Sequence, residues 1–93
     1  MNSDMCYILK EYIKYHDENI KKYGKNTIIL MQVGSFYEIY AVIDEEKGIN
    51  IGADIYKLGD LLNIQVTRKN KNIKEINYKN YLLAGIPDHA IDK

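Results

Sequence analysis

Gly34-Ser35-Phe36-Tyr37-Glu38-Ile39-Tyr40 decides how this chain folds. It follows the apolar run of residues 27–33, so two strand-like runs meet at a Gly-Ser break. Read with the two-residue side-chain period of a strand, the second run sets Tyr37, Ile39 and Ala41 on one face and Phe36, Glu38 and Tyr40 on the other. Phe36 thus shares its side with a carboxylate. Burying the pair would take Glu38 out of water, and an unpartnered buried carboxylate costs several kcal/mol or shifts its pKa instead. The simpler arrangement exposes both. This is the one phenylalanine in a chain with nine tyrosines. A ring without a hydroxyl can enter a dry stack and leave no polar group unpaired.

The flanking sequence builds a small domain around this run. Residues 27–33 are apolar apart from Gln32, the composition of a strand covered on both faces, and are expected at the centre of a sheet. Upstream, Asn2, Ser3 and Asp4 offer helix-capping oxygens. Met5, Ile8, Leu9, Tyr12, Tyr15, Ile20 and Tyr23 then recur at mostly three- and four-residue spacings, which predicts an amphipathic helix packing a tyrosine-rich stripe on the sheet. Gly24 stands where a terminating glycine belongs, Lys21, Lys22 and Lys25 suit the negative end of the helix dipole, and His16 reads as a core residue. Downstream, residues 44–48 read as a turn and 49–51 as a short strand. Residues 52–62 read as a short helix weakened by Gly59, and 63–68 as a half-buried strand. Residues 70–80 are polar and irregular, residues 81–86 return as a strand, and Pro87 is placed at the first position of a further helix. The expected fold is α/β of the α+β kind: a small mixed β-sheet with helices packed on it.

Composition narrows the function. Ninety-three residues make one small domain of limited stability. No run approaches the ~20 apolar residues of a membrane span, and Asp4 and Glu11 break up any secretory or transit signal, so an intracellular setting is expected. A lone cysteine, Cys6, has no internal disulfide partner, and with two scattered histidines it forms no metal-ligand spacing, so no metal is expected. The net charge of zero argues at first against nucleic acid. Its distribution argues otherwise, because Arg68, Lys69, Lys71, Lys74 and Lys79 face only Glu75 within one stretch, a local basic patch. A final helix that hardly begins before Lys93 predicts a fragment of a longer chain, and no P-loop motif occurs in this sequence.

Three segments, taken together, resemble one family. Gly34-x-Phe36-Tyr37-Glu38 comes first. Leu61-Leu62-Asn63-Ile64-Gln65-Val66-Thr67-Arg68-Lys69 resembles a Leu-Leu-Asp-Ile-x-Leu-Thr-x-Arg strand, and Ala84-Gly85-Ile86-Pro87-Asp88-His89-Ala90 resembles Ala-Gly-Ile-Pro-Tyr-His-Ala. In this order they are similar to the N-terminal mismatch-recognition domain (domain I) of the MutS family of DNA mismatch-repair proteins. The wording Met31-Gln32-Val33-Gly34-Ser35 is similar to a divergent branch known from large viruses and some organelles. The resemblance covers the chain from roughly Tyr12 to Ala90.

The resemblance implies that Phe36 wedges into mismatched double-stranded DNA from the minor groove and stacks on a mispaired base, while the Glu38 carboxyl hydrogen-bonds that base. Aromatic stacking on a base is worth ~1–3 kcal/mol, and unstacking costs less where pairing is already defective. Lys69, with Arg68 and Thr67 beside it, aligns with a basic position suited to backbone phosphate. Gly34 would permit close backbone approach, and Ser35 stands where the family often carries Asp. Asp88 replaces a common aromatic, and Gly85, Pro87 and His89 read as architectural. By the same resemblance the chain is a binding domain with no catalytic residues and no cofactor of its own. The clamp, lever and ATPase domains, with ATP and Mg, belong to the rest of a dimeric parent protein. Two other readings stand beside it: a scaffold domain that has lost lesion reading, and a small nuclease holding Mg²⁺ between Glu38 and Asp44 or Glu45.

Overall fold

The computed structural model describes residues 7–87. The capping residues Asn2, Ser3 and Asp4, together with Cys6, Asp88 and His89, lie outside the described residues. Along the chain come α1 (Tyr7–Tyr23), β1 (Met31–Val33), β2 (Phe36–Asp44), β3 (Ile49–Gly52), α2 (Ile55–Leu62), β4 (Thr67–Arg68) and β5 (Leu82–Pro87). Sheet and helices form the expected α/β fold, but the sheet, expected to be mixed, is antiparallel at every described strand pairing. None of the described helices is long and apolar enough to cross a membrane.

β2 is the axis of the sheet. Phe36 pairs with both Val33 and Pro87, and Ala41 with both Gly52 and Leu82, so β5 lies along one edge of β2 while β1 and β3 divide the other between them. β4 extends the sheet beyond β5. The apolar run 27–33 is therefore not central: only Met31–Val33 pairs, as a short outer strand. The reason is competition for the β2 edge. Beyond the Met31–Glu38 pair that edge belongs to β3, and the Ala53 amide already donates to the Tyr40 carbonyl at 3.0 Å. The Tyr12 hydroxyl reaches the seam between the two outer strands. It donates to the Ile29 carbonyl at 2.8 Å and is bonded by the Tyr40 backbone.

Directly paired residues share a face. Phe36, Glu38, Tyr40, Val42, Leu83 and Gly85 lie on one, and Tyr37, Ile39, Ala41, Leu82, Ala84 and Ile86 on the other. α1 covers the first face through Leu9, Tyr12, Ile13 and His16, with Tyr12 edge-to-face on Tyr40 at 5.1 Å. Tyr7, Tyr15 and Tyr23 are exposed, so the buried stripe of α1 is narrower than its tyrosine spacing suggests and runs through Ile13. Ile39, Ala41 and Ala84 of the second face are buried in a cluster to which α2, running against β2 and β5, adds Ile55 and Leu58.

Two boundaries differ from expectation. Asn63 does not begin a strand; it ends α2 in the left-handed conformation, φ 56°. Its amide donates to the Asp60 carbonyl and the next amide, of Ile64, to Gly59, the paired bonds of a Schellman cap. Only Thr67–Arg68 of that stretch pairs. Pro87, expected as the first residue of a helix, is the last residue of β5, opposite Phe36, and the rest of that expected helix lies outside the described residues. Gly59, which weakens the helical pattern, is needed by packing: a Cβ there would stand 2.8 Å from Val66 Cγ2 and 3.2 Å from the Ile64 carbonyl. Gly24 closes α1 as expected, its amide bonding the Ile20 carbonyl at 2.8 Å.

Candidate nucleic-acid interface

Gly34 and Ser35 form the two-residue turn of the β1–β2 hairpin, with Val33 opposite Phe36. Gly34 has φ +61° and Ser35 an ordinary negative φ, the pattern of a type II′ turn, which demands glycine first. Both are exposed at the hairpin tip. Phe36, the first residue of β2, is 48% exposed, with exposed Val33 beside it on the same face. Here the face that α1 covers over Tyr40 runs out from under the helix. Its inner end is core and its outer end presents Phe36 to solvent.

Glu38 stands at the boundary. It is half-buried, and its Oε1 accepts a hydrogen bond from the hydroxyl of Tyr40 two residues along the same face. Tyr40 is fixed in turn, 1% exposed and held edge-to-face between Tyr12 and Tyr81 at 5.1 and 5.2 Å. Sequence alternation puts Glu38 and Tyr40 on one side but does not distinguish the tyrosine from the other members of that face. The signal was present, since a phenol two residues from a carboxylate on a strand can reach it. Gly85 is the floor between Phe36 and Glu38: a Cβ there would lie 3.8 Å from Phe36 Cδ1 and 4.0 Å from Glu38 Oε2.

The basic segment is built around a second residue that sequence reasoning missed. Asn80 is buried. Its side chain accepts from the Asn70 amide at 2.7 Å and donates to the Ile73 and Glu75 carbonyls at 3.1 and 2.8 Å. Asn77 caps the Asn80 amide, so the polar stretch 70–80 is an ordered loop. Lys69, Lys71 and Lys79 border a shallow depression on it. The Lys69 ammonium also lies 5.5 Å from the Tyr81 ring centre, joining the loop to the tyrosine cluster behind Glu38.

Thr67, Arg68 and Lys69 do not share one surface. Thr67 pairs with Leu83 on the Tyr40 face and Arg68 with Leu82 on the opposite face. The Arg68 guanidinium turns back to the Lys71 carbonyl at 2.9 Å, so part of its donor capacity holds the loop. Lys69 is exposed. The loop and Phe36 also sit at opposite ends of β5, because Arg68 is opposite Leu82 and Phe36 opposite Pro87. At the rise of a strand that is roughly 17 Å along the sheet. Lys47, which bonds Glu75 at 3.5 Å, brings the Asp44 turn to the loop end.

The same geometry bears on the nuclease reading. Glu38 and Asp44 lie six residues apart on one strand, roughly 20 Å, too far to share an ion. Among the described residues no three His, Cys, Asp or Glu side chains converge. His16 is buried as expected, its Nδ1 without a hydrogen-bond partner among the described residues. Desolvation lowers its pKa, opposed by the neighbouring Asp17 charge.

The chain is 30% identical over 90 residues to the DNA mismatch repair protein MutS of Petrotoga mobilis, a stretch that makes up 97% of this chain and 8% of that protein. No family model and no solved structure matches it. Along nearly its whole length, then, the chain is similar to one small part of a DNA mismatch repair protein, a likeness consistent with a MutS-related domain.

Proposed function

We propose that this chain is the lesion-reading N-terminal domain of a longer mismatch-repair protein and binds duplex DNA at mispairs or small loops. Phe36 stacks on the mispaired base, Glu38 hydrogen-bonds it, and Lys69 with its neighbouring lysines engages backbone phosphate. The observation that carries the reading is the exposed Phe36 at the hairpin tip, on the same face as a carboxylate held by a buried tyrosine. An ionised carboxylate loses Coulomb energy beside every phosphate, so its place next to an exposed ring suits a local role at the base and repels intact duplex. Because a mispair softens the duplex against kinking, selectivity arises from deformability as much as from contact. The domain itself performs no chemistry in this reading; nucleotide hydrolysis with ATP and Mg, and dimerisation, are assigned to the rest of the protein.

The test is Phe36→Ala in the full-length protein that carries this domain, with anisotropy titrations on matched and mismatched duplexes. Loss of one stacking contact of ~1–3 kcal/mol corresponds to ~5- to 150-fold weaker binding, confined to the mismatched complex. The melting temperature should move far less than for a core Phe→Ala change of ~3–5 kcal/mol. A large drop in melting temperature with an unchanged mismatch ratio would make Phe36 a core residue and favour the scaffold reading.

A further inference from the structure

We infer that the cleft between α1, β3 and the start of α2 is a binding site for a small phosphate monoester. It stands apart from lesion reading, because β3 lies on the opposite edge of β2 from β5 and the basic loop. The cleft has a volume of about 450 Å³, room for a phosphate and the small body that bears it. Three features of its wall favour an anion. The first is His16, which lines the cleft at 7% exposed, with its Nδ1 lacking a hydrogen-bond partner among the described residues. A buried polar atom left unpaired costs free energy that a ligand hydroxyl or phosphate oxygen recovers. The second is the start of α2, where Asp54 occupies the N-cap without making a side-chain capping bond and the Leu58 amide makes the first helical bond, to the Asp54 carbonyl at 3.0 Å. The amides of Ile55, Tyr56 and Lys57 are thus without helical partners at the positive end of the helix dipole, an arrangement suited to phosphate. The third is charge: Lys25, just beyond α1, and Lys57, in the first turn of α2, both border the cleft, and neither makes an ion pair among the described residues. Against these two ammonium groups stands one carboxylate, Asp54. A phosphate dianion gains from both lysines, where a neutral ligand gains from neither. Ile20 and Leu58 supply apolar wall and Asn50 an amide, so the body of the ester is small and hydroxyl-bearing, as in a pentose phosphate.

The test is an NMR titration of the 93-residue chain with isotope-labelled histidine. The chain has two histidines, so His89→Gln leaves His16 as the one imidazole in the spectrum. At constant ionic strength, ribose 5-phosphate should shift the His16 resonance along a saturating curve, inorganic phosphate should do so more weakly, and ribose should have no effect. Lys25→Met combined with Lys57→Met keeps the apolar stems of two exposed side chains and removes their charge. Binding should weaken about tenfold or more, the order of lost charge-assisted hydrogen bonds. Asp54→Asn should instead tighten binding several-fold, since the one opposing carboxylate is gone, a gain that a residue confined to ending a helix would not produce. Lys69→Ala, in the basic loop, should change neither curve nor affinity. A shift that grows without saturating, or that is the same after both lysines are replaced, would make the cleft an ordinary surface groove and overturn the inference. Displacement of ribose 5-phosphate by matched duplex would overturn it as well, by assigning the cleft to the DNA backbone.

Discussion

Single residues in this chain are constrained for reasons that sequence displays unevenly. The pairing of Phe36 with Glu38 on one face was legible because strand periodicity is a local property. The clamp on Glu38 was not, because whether Tyr40 is buried depends on α1, whose contact with β2 is long-range. Gly52 was likewise invisible. It ends β3 at φ +86°, and a Cβ there would lie 2.4 Å from the Tyr40 carbonyl oxygen and 3.0 Å from Ala41 Cα, both backbone atoms of the central strand. Neither can yield without parting β3 from β2. Gly52→Ala should cost roughly 3 kcal/mol or more, from backbone strain and displacement together, and an unchanged urea midpoint would refute that packing. His16 couples stability to pH. Burial lowers its pKa from 6.5 and the Asp17 charge opposes this, so the unfolded chain takes up the proton first as pH falls. Its contribution to stability is present above about pH 6.5 and is lost as pH falls through the depressed folded value. The urea midpoint should therefore drop between about pH 7.5 and about pH 5.5, and His16→Phe, which keeps a ring against Tyr12, should flatten that drop. An equal slope in both proteins would show that His16 titrates freely.

Secondary-structure elements were legible where their signal is internal and misjudged where it depends on a neighbour. The hairpin, the 44–48 turn, both helices and β5 follow from periodicity and turn residues. The composition of the run 27–33 is that of a covered central strand, yet β3 occupies the edge of β2 that it would need. Ile28 and Leu30 are exposed as a result. Residues 63–68 read as one strand because alternation hides a helix cap. Asn63 is the deciding residue, adopting a left-handed φ that closes α2 and turns the chain toward β4. Asn63→Val should destabilise the domain by about 1–2 kcal/mol, since a β-branched side chain fits that conformation poorly. Asn63→Gly, free of that steric penalty, should be near neutral. Chemical denaturation of both variants decides the matter, and equal losses would show that the cap conformation is not what holds the boundary.

At the scale of the whole molecule, the fold class was legible because strand and helix signals succeed each other along a short chain. The arrangement of the candidate interface was not. Five bases crowded into residues 68–79 suggest one patch beside the wedge, but the register of β5 sets that loop and Phe36 roughly 17 Å apart along the sheet. To engage both, a duplex must pass from the hairpin tip to the loop, and the kink that opens a mispair to Phe36 carries an elastic cost on the order of 1–6 kcal/mol. Against it, this domain sets one stack and a few lysines, with acidic Asp44, Glu45 and Glu46 in the turn that reaches the loop end. The isolated 93-residue chain should bind DNA weakly, with a steep salt dependence and almost no mismatch preference. Lys69→Ala should weaken matched and mismatched binding of the full-length protein alike, because phosphate contacts position a protein without reading sequence. Tight, mismatch-selective binding by the isolated chain would mean that the wedge bends DNA unaided and that the elastic argument is wrong. Loss of selectivity in Lys69→Ala, with matched-duplex affinity unchanged, would instead move the lesion contact from the hairpin to the loop.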